Sequence, residues 1–169
     1  MSGNERELLF SHARAFVFEY PGLMDILASR PHPDLATLSY RYAAALDQRD
    51  LRSALAVFHP DAVLRARPPG RNHMVLSGHA ELAKLIKAVS HWPRTFHLVG
   101  QGLYEFAHET AVGEVYSVAH HFSSAEPRSG DDYVMFIRYH DRYVRGSGRW
   151  LISERIVVTD AVEYREVGS

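Results

Sequence analysis

Apolar residues recur at helical spacing between residues 35 and 61, and the rest of the chain is interpreted around this stretch. Four of them are three or four positions apart and predict an amphipathic helix over residues 35–47: Leu35, Leu38, Tyr42 and Leu46. Asp34 is the expected N-cap. A break near residues 47–50 is followed by a second apolar stripe, Leu51, Leu55 and Phe58, which predicts another helix that closes at residues 59–61.

Three more helical patterns flank this pair. Residues 6–19 and 23–29 predict an N-terminal helical extension, interrupted by Pro21-Gly22. Two prolines in residues 30–34 predict a turn, because proline cannot continue a helix. Gly78 introduces the last helix, over residues 79–92, which Pro93 stops.

The apolar period changes from 3.6 to 2 after residue 93. Alternation predicts long strands at residues 95–106, 111–123, 132–145 and 149–160, preceded by short strands at 62–67 and 73–76 around a loop at 68–72. Short turns join the four long strands, so they are expected to form an antiparallel meander. Helices followed by a long sheet predict an α+β fold in which the sheet curves around the helices and leaves a deep pocket.

Composition limits the possible functions. The 169 residues predict one domain spanning residues 1–169, with its core at about 35–160, and 46% of them are hydrophobic. A net charge of −1 with interspersed charges favours no nucleic-acid partner. The absence of cysteine excludes disulfides, thiolate metal sites and cysteine nucleophiles. No apolar run approaches the ~18 residues of a membrane span, and residues 1–10 are not typical of a signal peptide, so the expected location is the cytoplasm.

Strand alternation places candidate polar groups on faces of the sheet. His97 and Val99 share one face of their strand, and Ser117 and His121 share one face of the next, with His120 on the other face. A two-residue turn between the strands would set His97 opposite His120, whereas a three-residue loop would set it opposite His121, and spacing alone leaves this open. Neighbouring strand histidines point in opposite directions, which disfavours a metal site.

The last two strands contribute further candidates. Tyr139 lies on the same face of its strand as Asp141 and Tyr143. Arg155 is expected on the other face of its strand from Trp150, Ile152 and Glu154. There it would be either a salt-bridge partner or an anion anchor. An apolar outer face carrying Val134, Phe136 and Val157 predicts a homodimer or higher homo-oligomer through the sheet.

The chain resembles a known family at two places. The helical stretch SYRYAAALDQRDLRSALAVFHPDAVL and the ending RYHDRYVRGSGRWLISER resemble the SnoaL-like branch of the nuclear transport factor two-like superfamily. The resemblance implies a cone-shaped α+β fold, a half-open barrel with a deep pocket. The scaffold hosts dehydratases, isomerases, cyclases, hydrolases, dehalogenating lyases and binders, so the fold alone does not imply one function.

Two enzyme groups of that branch match residue by residue. The scytalone dehydratase-like group implies catalytic roles for Asp47, for His97 in Thr-Phe-His-Leu-Val-Gly, and for His121. The bile-acid dehydratase-like group implies one for Tyr42, five residues before the aspartate, and a hexachlorocyclohexane dehydrochlorinase-like group also uses an Asp–His dyad. The polar pair that scytalone dehydratase carries on the penultimate strand would fall near Ile137 and Tyr139, which argues against scytalone as the substrate.

These matches predict a cofactor-independent lyase or isomerase that acts on a hydrophobic cyclic molecule and needs no metal. The predicted catalytic residues are Asp47, His97, Tyr42 and His121. The predicted substrate-binding residues are Tyr139, Arg155, Val99 and Ser117. Simpler interpretations stand beside this one. Asp47 can merely terminate its helix, His97 can be a hydrogen-bonded core histidine, and Tyr42 can line the core. The alternative function is a non-catalytic ligand-binding, accessory or subunit protein.

Overall fold

The computed structural model describes residues 29–67 and 72–168, which form three helices and six strands. The helices are α1 (Pro33–Asp47), α2 (Leu51–Ala56) and α3 (Gly78–Val89). The strands are β1 (Phe58–Ala66), β2 (Met74–Ser77), β3 (Arg94–Ala107), β4 (Thr110–Phe122), β5 (Asp131–Gly146) and β6 (Arg149–Glu166). The helices expected at 6–19 and 23–29, and most of the loop at 68–72, lie outside the described residues. No helix in the described part of the chain has the length and hydrophobicity of a membrane span.

Helix α1 forms as its apolar stripe predicts, and all four stripe residues are at most 7% exposed. Its start is different from the prediction. Asp34 is not the N-cap, because Pro33 already occupies the first helical turn, where a missing N–H costs nothing, and His32 takes the cap position. Helix α2 does begin with a side-chain cap, since Asp50 accepts a 3.0 Å hydrogen bond from the Ser53 N–H. It ends at Ala56, so residues 59–61 belong to β1 rather than closing the helix.

The six strands form one mixed sheet in the order β2-β1-β6-β5-β4-β3. Strands β3 to β6 make the predicted antiparallel meander, while β1 pairs parallel with β6 and antiparallel with β2. The sheet therefore stays open, with β2 and β3 at its edges, and does not close into a barrel. Strand β6 continues to Glu166, six residues past the predicted end at 160, because its last residues pair with the start of β5.

The hydrophobic core lies between α1 and the inner face of the sheet. Tyr104 is fully buried there, and its ring lies across Gly102 and Gly113, where a Cβ at either position would collide with it. Arg30 pairs with Tyr104 through two 3.0 Å backbone hydrogen bonds, which add one bridge to the free edge of β3. Helix α1 thus packs against β3 near Tyr104, whose ring has room only because residues 102 and 113 are glycines.

The outer face of the sheet differs from the predicted apolar patch. Val157 pairs with Tyr139 and packs against the core, so its assignment to the outer face was wrong. β6 carries an extra residue between Ile152 and Glu154. The residues directly after it therefore point to the opposite face from the one that strict alternation predicts. Val134 is on the outer face but is fully covered. Of the exposed large hydrophobic side chains on the outer face, Phe96 (56%) and Leu98 (58%) lie on β3 and Tyr116 (39%) lies on β4.

We propose that this outer patch mediates self-association. Two large apolar side chains more than half exposed on one face of a strand are typical of a protein contact surface. The change Phe96→Asp with Leu98→Asp is expected to convert an oligomer into a monomer, measured as molar mass by sedimentation equilibrium. The matched control is Val75→Asp, 51% exposed on edge strand β2, which should leave the mass unchanged. A monomeric unmodified protein would contradict the proposal.

Candidate functional site

Asp47 is held at the end of α1 by three hydrogen bonds from β3. Its Oδ1 accepts from the Thr95 hydroxyl at 2.8 Å and pairs with His97 Nδ1 at 2.7 Å, and its Oδ2 accepts from the His97 backbone N–H at 2.9 Å. A carboxylate at a helix C-terminus is disfavoured by the helix dipole. The three donors on β3 offset that repulsion, so the position of Asp47 is set by the sheet rather than by its own helix.

The charge on Asp47 determines which nitrogen of His97 carries a proton. Burial opposes ionisation of Asp47, but the hydrogen bonds and charge of His97 together hold the pKa of the carboxyl below its usual value. An ionised carboxylate only accepts hydrogen bonds, so Nδ1 of His97 must be the protonated nitrogen. In the neutral ring Nε2 is then a base, and it makes no hydrogen bond within the described residues.

A bulge in β3 determines which histidine lies beside His97. The β3–β4 turn has two residues, with His108 at φ 54°, which by simple counting would set His97 opposite His120. The register shifts between Val99 and Gly102, however, and His97 lies opposite Ala119. Neither expected partner is therefore directly opposite His97. His121 is its diagonal neighbour on the same face, with ring centroids 5.8 Å apart.

His120 points to the outer face, away from this group. Its Nδ1 pairs with Asp132 at 2.7 Å and its ring stacks on Phe122. His121 faces inward, packs against Trp92 and places Nδ1 3.2 Å from the Tyr133 carbonyl oxygen. Burial and the nearby charges of His97 and Arg49 lower the pKa of His121, against the opposing effect of the Tyr133 carbonyl.

Two of the predicted tyrosines pack at the inner face of the sheet, the face that carries His97 and His121. Tyr42 and Tyr139 meet edge to face with centroids 6.4 Å apart, and both are almost completely buried. Burial raises the pKa of each phenol, so both are neutral hydrogen-bond donors near neutral pH. Ser117 pairs with Val99 across β3 and β4, and its hydroxyl donates to the Leu98 carbonyl at 3.2 Å. The structure thus brings these predicted residues to one face of the sheet.

Arg155 is fully buried in the core, on the inner face. Because of the bulge in β6 it shares that face with Ile152, and the expectation that the two lie on opposite faces was wrong. Its Nε and Nη2 donate to the Asp141 carboxylate at 2.8 and 2.6 Å, and Nη2 also donates to Ser39 at 3.0 Å. Although burial opposes its charge, Asp141 raises the pKa of Arg155.

Aromatic rings surround the Arg155 guanidinium. Its central carbon lies 4.1 Å from the Tyr139 ring centroid and 4.8 Å from that of Tyr42. The remaining nitrogen, Nη1, and the Tyr104 hydroxyl are both buried without a hydrogen-bond partner in the described structure. An unsatisfied buried donor is costly, so Arg155 has the two N–H groups of Nη1 to offer to a polar group that enters the core.

A cavity of about 350 Å³ opens on the other side of Asp47. Its lining consists of Asp47, Arg49, Pro93, Arg94, Thr95, Phe96 and Phe122. The Asp47 side chain is 23% exposed, compared with 4% for His97. The carboxylate therefore separates an open cavity from the buried imidazole.

The sequence matches the model of the SnoaL-like domain over residues 33–156. The chain belongs to the SnoaL-like family. The match covers both helices of the Asp47 region and the sheet as far as β6, so the resemblance inferred from the two sequence stretches is confirmed. A comparison with curated proteins finds no match.

Solved structures share the fold of this SnoaL-like chain at low sequence identity. Rv3472, a protein of unknown function from Mycobacterium tuberculosis, is 24% identical with a TM-score of 0.64, over 75% of this chain and 70% of that one. A provisionally named scytalone dehydratase from Novosphingobium aromaticivorans is 18% identical (TM-score 0.65; 79% and 89% covered). The hexachlorocyclohexane dehydrochlorinase LinA-type3 from Novosphingobium barchaimii is 15% identical (TM-score 0.66; 78% and 88% covered).

Sequence reasoning missed three contributors to this SnoaL-like site. Thr95 shares its strand face with His97, two residues away, and that alternation was the available signal. The sequence predicts the correct strand face for Asp141 but not its ion pair with Arg155. Arg49, whose guanidinium lies beside Thr95, had no sequence signal, because residues in a helix break show no periodicity.

The buried Arg155–Asp141 pair is expected to be essential for stability. Asp141→Asn leaves an uncompensated buried charge and should lower the free energy of unfolding by about 3–5 kcal/mol. Adding Arg155→Met to that variant should recover part of the loss, as measured by urea denaturation. The matched control is Arg138→Met, which breaks a bidentate but one-third-exposed pair with Asp160 and should cost about 1 kcal/mol or less. Equal costs for Asp141→Asn and the control would contradict the prediction.

His121 is expected to make the protein less stable as the solution becomes acidic. Its pKa is lower in the folded protein than its ordinary value of 6.5, so the folded state binds fewer protons than the unfolded state. Its contribution to stability is full above 6.5 and is lost as the pH falls through the folded pKa. His121→Asn should therefore flatten the fall in unfolding free energy between about pH 7 and 5.

The control for this measurement is His91→Asn, at an exposed histidine after α3. It should keep the slope of the unmodified protein. The lowered pKa of Asp47 acts in a separate window, since its contribution is lost only as the pH falls below its ordinary 3.8 toward the folded pKa. A His121→Asn variant with an unchanged slope would refute the assignment.

Proposed function

We propose that the protein is a cofactor-independent lyase or isomerase that acts on a hydrophobic cyclic small molecule, with His97 as general base. The observation that carries the proposal is the 2.7 Å contact between Asp47 and His97 Nδ1, made by residues 50 positions apart on different elements. The carboxylate orients the imidazole, fixes its tautomer and stabilises the imidazolium that forms when Nε2 takes a proton.

The reaction begins at a carbon next to a carbonyl or an aromatic ring. Nε2 of His97 removes a proton from this carbon, and the electrons of the broken C–H bond pass to the carbonyl oxygen as an enolate. If a hydroxyl lies on the β carbon, the enolate collapses to a C=C bond, the C–O bond breaks, and the leaving oxygen departs as water after protonation. Without such a group, the proton returns from the imidazolium to a different carbon, and the product is an isomer.

Other inner-face residues supply the remaining functions. Tyr42 and Tyr139, both neutral phenols, can donate to the enolate oxygen, and the His97 imidazolium can return its proton to the leaving hydroxyl, which regenerates the base. Nη1 of Arg155 offers a further donor beside the tyrosine rings. Val99 and Ser117 would contact the substrate from β3 and β4. Tyr139, Arg155, Val99 and Ser117 lie on the face of the sheet that carries His97, and Tyr42 packs against that face from α1.

Family membership supports the proposal. SnoaL-like domains are the scaffold that the sequence resemblance associates with dehydratases and isomerases. Two structures with the same fold carry the names scytalone dehydratase and hexachlorocyclohexane dehydrochlorinase, and both names denote loss of a small molecule from a ring compound. Below 25% identity these likenesses concern the fold, so the proposed chemistry depends on the Asp47–His97 geometry.

A second candidate function, binding without catalysis, is favoured by one observation. The His97 side chain is 4% exposed, whereas the cavity of about 350 Å³ lies on the Asp47 side and does not include His97 in its lining. A ligand that stays in that cavity would not reach Nε2. A small-ligand-binding or accessory protein on the same scaffold would need the cavity but no exposed base.

Solvent exchange distinguishes these functions without a known substrate. In D₂O, the protein should accelerate deuterium incorporation next to the carbonyl in at least one member of a panel of cyclic and hydroxylated cyclic ketones, followed by proton NMR. His97→Ala and Asp47→Asn should each lower that rate by about 100-fold or more, because general-base catalysis contributes about 10²–10⁴-fold. His91→Ala, at an exposed histidine, is the matched control and should keep full activity.

The outcomes are separable. Full exchange activity in His97→Ala or Asp47→Asn, with circular dichroism showing an intact fold, would reject the general-base role. Binding of panel members in a thermal-shift assay, with no exchange by the unmodified protein, would favour the binding function. The elimination step itself is then followed by the absorbance of the conjugated product that the exchanging ketone yields.

A further inference from the structure

We propose that Arg49 is a positioning residue that holds Asp47 in register with His97, an inference that rests on the proposed function. Arg49 follows the end of α1 and has φ 59°, in the left-handed region that residues other than glycine rarely adopt. Such a conformation persists only where surrounding contacts enforce it. The guanidinium makes three hydrogen bonds here, beside one that the Arg49 backbone N–H donates to the Leu46 carbonyl and one that the Arg49 carbonyl accepts from the Leu51 N–H.

The guanidinium joins three separate elements. Nη1 donates to the Leu46 carbonyl and to the Thr95 hydroxyl, each at 2.7 Å, and Nη2 donates to the Trp92 carbonyl at 2.7 Å. Leu46 belongs to the last turn of α1, Trp92 to the segment after α3, and Thr95 to β3. Arg49 therefore fastens the helix end that carries Asp47 to the strand that carries His97.

The same contact determines the direction of the Thr95 hydroxyl. Arginine donates hydrogen bonds and cannot accept them, so Thr95 Oγ1 is the acceptor toward Arg49. The single hydroxyl proton is then directed to Asp47 Oδ1, 2.8 Å away. The result is one network of hydrogen bonds, in which Arg49 donates to Thr95, Thr95 donates to Asp47, and Asp47 also accepts from His97 Nδ1.

This arrangement predicts that Arg49→Gly separates stability from function. Glycine adopts a positive φ without strain, which offsets part of the loss of the guanidinium bonds, so the melting temperature should stay within a few degrees of the unmodified protein. Asp47 would lose its fixed position, and exchange activity should fall by about 10- to 100-fold with KM unchanged, as expected for small misplacements of a catalytic group.

The test uses a readout that does not depend on turnover. In proton NMR, the hydrogen-bonded Nδ1–H of His97 should give a sharp downfield signal in the unmodified protein, assigned by its loss in His97→Gln. Arg49→Gly and Thr95→Val should broaden or remove it. Arg49→Lys, which retains the charge on one nitrogen but not the fork, should not restore it. The matched control is His108→Gly, which relieves a positive φ of 54° at the distant β3–β4 turn and should leave the signal intact.

The results separate this inference from the function it rests on. An unchanged Nδ1–H signal in Arg49→Gly overturns the positioning role, even if the protein proves to be a lyase. Full recovery of the signal in Arg49→Lys also overturns it, because charge rather than geometry would then be responsible. If the unmodified protein exchanges no substrate, loss of the signal in folded Arg49→Gly and Thr95→Val still supports positioning, and only the proposed function fails.

Discussion

The carboxylate of Asp47 is the point at which the helical and sheet layers of this protein meet. It lies at the end of α1, where the helix dipole disfavours a negative charge, and is stabilised by three donors that belong to β3. One of those donors is a backbone N–H, so the contact depends on the register of the strand as well as on side chains. Any shift of α1 along β3 would leave an ionised, partly buried carboxylate without its partners.

The fold was largely predictable because its signals are periodic. The change from a period of 3.6 to a period of 2 after residue 93 located the helices and the meander, and all four predicted stripe residues of α1 are buried. Element ends were less accurate where pairing between distant strands decides them. Strand β6 extends to Glu166 because the first residues of β5 pair with it, whereas the sequence prediction ends the strand at residue 160.

Parity arguments failed wherever a strand contains an extra residue. The bulge in β3 moved His97 opposite Ala119, and the bulge in β6 placed Ile152 and Arg155 on one face and turned Val157 inward. A single insertion exchanges the two faces of every residue beyond it, and its position depends on tertiary packing. His121 does share the face of His97, but for a reason that counting along a regular strand does not provide.

The predicted site residues do converge, yet their environments differ in a way that bears on function. Arg155 and Asp141 are completely enclosed, and Tyr42 and Tyr139 pack on the guanidinium, so this half of the inner face is shielded from solvent. Asp47 is partly exposed beside an open cavity. His97 is buried, bonded to the partly exposed carboxylate and packed beside His121. In the proposed mechanism, a base in that position would take its proton in a low-dielectric environment while Asp47 balances its charge from the solvent side, so the imidazolium would be stabilised where it forms. Binding alone would not require that balance.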